Sequence, residues 1–310
     1  MKLKDNGIQS VEDWFRIAPP EDGIKQWKDG RSAKELARYL TSALPGLPKK
    51  MEAALLPFAS KAAIFDWCAE YQTELPGKGH PRQHDAALWN RDLFVGIEAK
   101  ADEPFGNSYV SESYLAKDCS KNKKMRINTL CSMLWGMGDD PSQRTDIRYQ
   151  LLTASTACLW EASRRGLKRA LLLILVFKHE GCYQQDNVDR NNADFAAFLK
   201  SCHAVSEYQY YRLQTGFGEK HGIDLYVKKL ELERNIRWTH EEKKTVVETF
   251  LENYLEGRQT NEKDPSFFRP LAEKLRDKLP RHSVEAIEKK LRKVPDLTLM
   301  EIAGEHYRRL

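Results

Sequence analysis

Eleven residues, LKRALLLILVF (167–177), set the first limit on the fold. The run is apolar from Ala170 onwards, with Lys168 and Arg169 near its start, and shows no alternation. A strand that shows water neither face has this pattern, which belongs inside a sheet covered by helices on both sides. The run is too short to cross a bilayer, which needs about 20 apolar residues. Around it the chain alternates. Helices are expected near 32–40, 49–70, 143–165 and 192–203, and strands near 84–89, 93–99 and 222–232. Helices interleaved with strands predict an α/β domain with a central sheet. After Arg234 the pattern changes, and 238–310 reads as wholly helical. The expected division is therefore residues 1–233 and 234–310, with the boundary near 233–237.

Composition fits a soluble protein, with 41% hydrophobic and 31% charged residues. The start, MKLKDNGIQS, lacks the apolar core of a signal peptide. The six cysteines contain no CxxC pair, which argues for reduced thiols in a cytoplasmic protein and against a cysteine-ligated zinc site. His80 and His84 are separated by Pro81, so a helical zinc pair is not expected there. The net charge of +5 does not by itself identify a nucleic-acid partner. No membrane partner is expected.

Ser32 and Glu35 have the spacing of a capping box. The helix expected from Lys49 to Glu70 would place Met51, Leu55, Phe58, Ala62 and Phe65 on one face. LPGKGHP (75–81), with two prolines and two glycines, is expected to be a loop.

The stretch HDAALWNRDLFVGIEAK (84–100) reads as a hairpin with Arg91-Asp92 at its tip. Paired positions in a hairpin have a constant sum, so Asn90 opposite Leu93 puts Asp85 opposite Glu98. Their Cβ atoms would lie about 5 Å apart on one side of the sheet. A bulge would break this register. Lys100 lies two residues beyond Glu98 and shares its face. Two half-buried carboxylates this close repel each other, so one must hold a proton or a cation must join them. Hard oxygen ligands suit Mg²⁺, and a neighbouring ammonium can offset charge developing on a phosphate. The competing reading is a surface Glu98–Lys100 pair worth under about 1 kcal/mol.

Asp85, twelve intervening residues, then Glu98-Ala99-Lys100 resembles the motif of the PD-(D/E)xK nuclease superfamily, the restriction-endonuclease-like fold. The resemblance covers about residues 10 to 230. It implies that the α/β domain is a mixed central sheet flanked by helices. Asp85 and Glu98 match the two metal-binding acids, and Lys100 the lysine. His84 stands where that family usually has proline. An acid on the preceding helix often completes the metal site, which makes Glu52 the candidate. The wording LPGKGHPRQHDAALW…VGIEAKADEPFG, followed by IRYQLL, resembles bacterial proteins classed by inference as endonucleases of this type. A glutamine on the helix after the ExK strand is common in the superfamily, and Gln150 fits it. The resemblance implies a Mg²⁺-dependent endonuclease, with Mn²⁺ as the alternative ion, cutting double-stranded DNA in restriction or phage defence. Asp85, Glu98 and the Ala99 carbonyl would hold one metal ion, or two with Glu52, and Lys100 would orient the attacking water. Many nucleases of the fold pair to cut both strands, so a homodimer is one implied state, although the sequence carries no dimer signal.

Beyond 234, stripes at Trp238, Val246, Phe250, Tyr254, then Phe267, Phe268, Leu271, Leu275, then Ala286, Ile287, Leu291 predict three helices in a small bundle. Thr239 with Glu242, and Ser283, are expected N-terminal caps. The wording WTxEE…LPxxSxxAIxxKLRK loosely resembles a Myb/SANT-like helix-turn-helix, with a long loop at 257–265 and without the second and third tryptophans. Residues 274–293 carry eight basic residues against three acidic. Lys289, Lys290, Arg292 and Lys293 are candidate DNA contacts, as are Lys123 and Lys124 in the first domain. Two other readings are an inactive nucleic-acid-binding protein of the same fold and a protein-interaction adaptor.

Overall fold

The computed structural model describes residues 1–101, 103–106, 108–111, 119–136, 147–178, 185–233, 240–255, 265–279, 282 and 284–292. The chain divides into two compact units, Met1–Phe177 with Gln184–Leu232, and Lys178–Tyr183 with Glu233–Leu310.

The first unit is mixed α/β. Its strands are β1 (Lys2–Leu3), β2 (Ile64–Thr73), β3 (Arg82–Trp89), β4 (Phe94–Lys100), β5 (Arg169–Lys178), β6 (Val205–Glu207), β7 (Tyr210–Leu213) and β8 (Asp224–Glu233). They form one eight-stranded sheet in the order β1-β2-β3-β4-β5-β8-β7-β6. β1–β2 and β4–β5 are parallel, whereas β2–β3, β3–β4, β6–β7 and β7–β8 are antiparallel. The helices are α1 (Val11–Ile17), α2 (Ser32–Thr41), α3 (Lys49–Leu55), α4 (Lys121–Trp135), α5 (Tyr149–Arg164), α6 (Gln185–Ser201) and α7 (Gly216–His221).

Two apolar cores lie on the two faces of the sheet. One joins Leu130 and Leu134 of α4, Leu152 and Leu159 of α5, and Phe198 of α6 to the sheet. The other joins Trp14 of α1, Leu36 and Leu40 of α2, and Met51 and Leu55 of α3. β5 feeds both. Leu172, Ile174 and Val176 enter the first core, and Leu171, Leu173 and Leu175 the second. This is the doubly covered strand that the apolar run predicts.

The expected helix over 49–70 is not formed as such. It stops at Leu55, two residues before Pro57, and residues 64–73 form β2. Proline cannot donate to the helical ladder and disfavours helix in the residue before it. In Phe65-Asp-Trp67-Cys-Ala69 the alternate residues are buried, which is a strand period. α2 begins where expected, but Ser32 is its first helical residue and Arg31 its N-cap, with no side-chain cap. The Ser32 hydroxyl donates instead to Glu103.

The hairpin has the expected register. Trp89 faces Phe94 and Ala86 faces Ile97, and the Asn90 amide donates to the Leu93 carbonyl at 3.1 Å. β2 and β3 share a feature that the sequence does not announce. Their ladder runs from Asp66–Trp89 to Ala69–Ala86, skips Glu70 and Asp85, and resumes at Tyr71–His84 without a change of register. Glu70 has φ 47°, in the left-handed region that non-glycine residues rarely adopt. The strand faces exchange there. Phe65, Trp67 and Ala69 belong to the second core, whereas Tyr71 and Leu75 pack on the first.

The second unit contributes α8 (His240–Leu255), α9 (Pro265–Leu275) and α10 (Val284–Leu291). Val246, Phe250, Phe268, Leu271, Leu275, Ile287 and Leu291 form its core. Trp238, Thr239, Ser283 and Lys293 lie outside the described residues, as do the side chains of Glu242, Tyr254, Phe267 and Ala286. Among the described residues, no helix is long and apolar enough to cross a membrane.

Candidate active site

The site begins at the C-terminal end of β4. Alternation points Glu98 and Lys100 to the same face as Phe94 and Gly96, towards α5. Gly96 is required at its position. A Cβ there would lie 2.6 Å from Cys158 Sγ and 2.7 Å from His84 Cε1. The missing side chain leaves room for the His84 ring beside Glu98.

Glu98 is buried and fully engaged. Its Oε1 accepts from Arg82 Nη2 and lies 3.0 Å from His84 Nδ1, and its Oε2 accepts from Gln150 Nε2 at 3.0 Å. Burial alone would raise this carboxyl, but Arg82, the His84 hydrogen bond and Lys100 outweigh it and hold it down to about 2. Burial pushes the His84 imidazole down, so the ring is neutral and Nδ1–H donates to Glu98. Its Nε2 is buried without a partner among the described residues.

Asp85 Oδ2 accepts from the Ala99 amide at 2.6 Å, which ties β3 to β4 beyond the last ladder pair. Burial, then the charge of Glu98, pushes the Asp85 carboxyl up to about 6. Glu70, opposite Asp85 at the skipped position, accepts from Gln83 Nε2 at 2.5 Å. Burial and then Asp85 push it up to about 8. Lys100 is 6% exposed and makes no ion pair among the described residues. Its Nζ lies 5.9 Å from the centre of the Phe105 ring.

Glu70, Arg82, Gln83, Asp85, Lys100 and Gln150 border one polar cleft of about 480 Å³, whereas Glu98 and His84 are buried beneath them. The structure thus brings together Asp85, Glu98, Ala99, Lys100 and Gln150. It does not bring Glu52 to them. Glu52 lies on α3 and pairs with the amino group of Met1 at 2.6 Å, because the helix meant to carry it towards the site ends at Leu55. Glu70, Arg82 and His84 are the site residues that the sequence reading misses. The alternation Phe65-Asp-Trp67-Cys-Ala69 is the signal that would have put Glu70 on a strand beside Asp85.

Among the described residues, no three His, Cys, Asp or Glu side chains are arranged to hold a metal ion together. The cleft offers a sparser donor set. Asp85 Oδ1 and Glu70 Oε1 accept no hydrogen bond among the described residues, and two carboxylates completed by water are a set that Mg²⁺ accepts. Burial first, and then their mutual repulsion, keeps both carboxyls above their ordinary range. A metal that used Glu98 would have to displace Arg82, His84 or Gln150.

Residues 7–234 match the family model described as "Domain of unknown function (DUF6946)". The chain belongs to the DUF6946 family. Neither curated proteins nor solved structures gave a match. The DUF6946 region contains every cleft residue above and strands β2 to β8 in full.

Of the expected DNA contacts, Lys123 and Lys124 lie in the first turn of α4, inside the DUF6946 region, with Lys123 exposed. Lys289 and Arg292 are exposed at the end of α10, outside it. Arg292 Nη2 donates to Glu288 at 2.5 Å and its guanidinium covers the Phe268 ring at 5.1 Å, which gives it a packing role of its own. Lys290 is half-buried.

Proposed function

We propose that this chain is a metal-dependent nuclease that hydrolyses phosphodiester bonds in DNA, with a core of restriction-endonuclease type. One observation carries the reading. Asp85, Lys100 and Gln150 border one polar cleft although they come from three elements, and the buried Glu98 is hydrogen-bonded to Gln150 at its edge.

The proposed ion is Mg²⁺ or Mn²⁺, held by Asp85 with Glu70 or Glu98. It would lower the pKa of a bound water and shield the phosphate. The chain's own residues have separate tasks. Lys100 supplies a positive charge close to the reacting phosphate, where a partly dry setting strengthens it. Arg82, His84 and Gln150 fix both oxygens of the Glu98 carboxylate, which holds it in one orientation. The Ala99 amide holds one Asp85 oxygen and leaves the other open.

The test is plasmid cleavage with Mg²⁺ by wild type, Lys100→Ala and Asp85→Ala. Cleavage that is lost in both variants supports the reading, and cleavage that persists in either refutes it. The full engagement of Glu98 favours a second reading, a DNA-binding protein of this fold that does not cut. It predicts binding without cleavage in any divalent metal. The helical unit, with Lys289 and Arg292 exposed, would add a second DNA contact in either case.

A further inference from the structure

We infer that a second cavity beside the cleft binds the backbone phosphate next to the one being cut, so that the substrate strand runs from Lys100 towards the loop 75–81. The inference rests on the nuclease reading. This cavity has about 760 Å³ and shares Glu70, Arg82, Gln83 and Gln150 with the first. The rest of its lining mixes apolar and neutral residues, such as Pro19, Ile127 and Tyr149, with a basic group formed by Lys78 of the loop and Lys123 and Arg126 of α4.

The basic group is built around Arg126, which is 7% exposed. Its Nη2 donates to the His80 carbonyl at 2.7 Å. The loop wraps the side chain so closely that two glycines are needed. A Cβ on Gly77 would lie 3.3 Å from Arg126 Cα, and one on Gly79 would lie 2.5 Å from Arg126 Nη1. Both have positive φ, 91° and 157°. The loop is thus moulded on a cation. The Nε–H of that cation is buried and has no partner among the described residues, a cost that an incoming acceptor would remove. Neither Arg126 nor Lys78 makes an ion pair among the described residues. Glu21 and Glu70 are the carboxylates on the lining, and Glu70 lies on the side shared with the cleft. A guanidinium with an unpaired N–H, beside exposed Lys78 and Lys123, suits a phosphate diester.

The test uses the full chain in EDTA, with a fluorescently labelled DNA oligonucleotide and anisotropy as readout. Lys78→Ala/Lys123→Ala changes only exposed side chains, and its melting temperature reports that it is folded. Each lost phosphate contact flattens the salt dependence by about one unit of log–log slope. Raising salt from about 50 to about 200 mM should therefore weaken binding by the double variant about tenfold less than binding by wild type. An unchanged affinity and slope in the double variant, with wild type still cutting plasmid, overturns this inference and leaves the nuclease reading standing. A wild type that neither binds nor cuts overturns both.

Discussion

Changing Asp85 to asparagine should stabilise the metal-free protein at pH 8 while it removes cleavage. The Asp85 carboxyl is pushed from its ordinary 3.8 up to about 6, first by burial and then by Glu98. That displacement corresponds to about 3 kcal/mol held against the ionised form. The sign follows from proton counting. Between pH 4 and 6 the folded chain holds the Asp85 proton more tightly than the unfolded chain, so stability falls as pH rises through about 6. The penalty is complete at pH 8 and absent below about pH 4. Asparagine keeps an oxygen for the Ala99 amide, but a neutral acceptor forgoes about 1 kcal/mol of the charge-assisted bond. The net expectation at pH 8 is a gain of about 2 kcal/mol, or about 4 to 8 °C in melting temperature for a domain of this size. Urea and thermal unfolding in EDTA, at pH 8 and pH 4, measure it. A gain no larger at pH 8 than at pH 4 would refute the claim that the Asp85 charge is held at a cost.

Other changes test other parts of the site. Gly96→Ala should cost about 1 to 3 kcal/mol in urea unfolding and reduce cleavage, because its Cβ would overlap Cys158 and His84. Glu70→Gln should reduce the rise in melting temperature that Mg²⁺ gives wild type, and an unchanged rise would exclude Glu70 from the metal. Arg148 Nε donates to Asp194 at 2.7 Å with both side chains 5% exposed. Arg148→Ala should therefore cost about 3 to 5 kcal/mol by leaving a buried carboxylate with the Tyr109 hydroxyl but no opposite charge. Glu52→Ala should cut plasmid at the wild-type rate, since Glu52 holds the Met1 amine rather than the cleft.

Much of this arrangement is legible in the residues because hairpin geometry is arithmetic. Once Asn90 faces Leu93, the meeting of Asp85 and Glu98 follows, and alternation adds Lys100. β5 is equally plain, because eight consecutive apolar residues fit few places other than a covered sheet. The segment 49–73 misleads for a physical reason. Met51, Leu55, Phe58, Ala62 and Phe65 repeat at spacings of three and four, and this masks the period of two that starts at Phe65. The weight lay with Pro57, which closes α3 early and strands Glu52 far from the acids it was meant to join. Arg82 is hidden because it falls between the loop 75–81 and the strand expected from 84, and His84 shows in the residues only as a departure from the family's proline. Nothing in the residue names marks the left-handed backbone of Glu70, which the surrounding ladder imposes.

The exchange of faces at Glu70 and Asp85 settles where charge can be tolerated. At that one step of the hairpin, neither strand owes an apolar side chain to the layer above or below. Two acids can occupy it without puncturing either, and the backbone rather than the packing absorbs the expense. A randomised library at 70 and 85 should accordingly recover many foldable chains and few working ones, whereas the same library at 69 and 86 should lose both together.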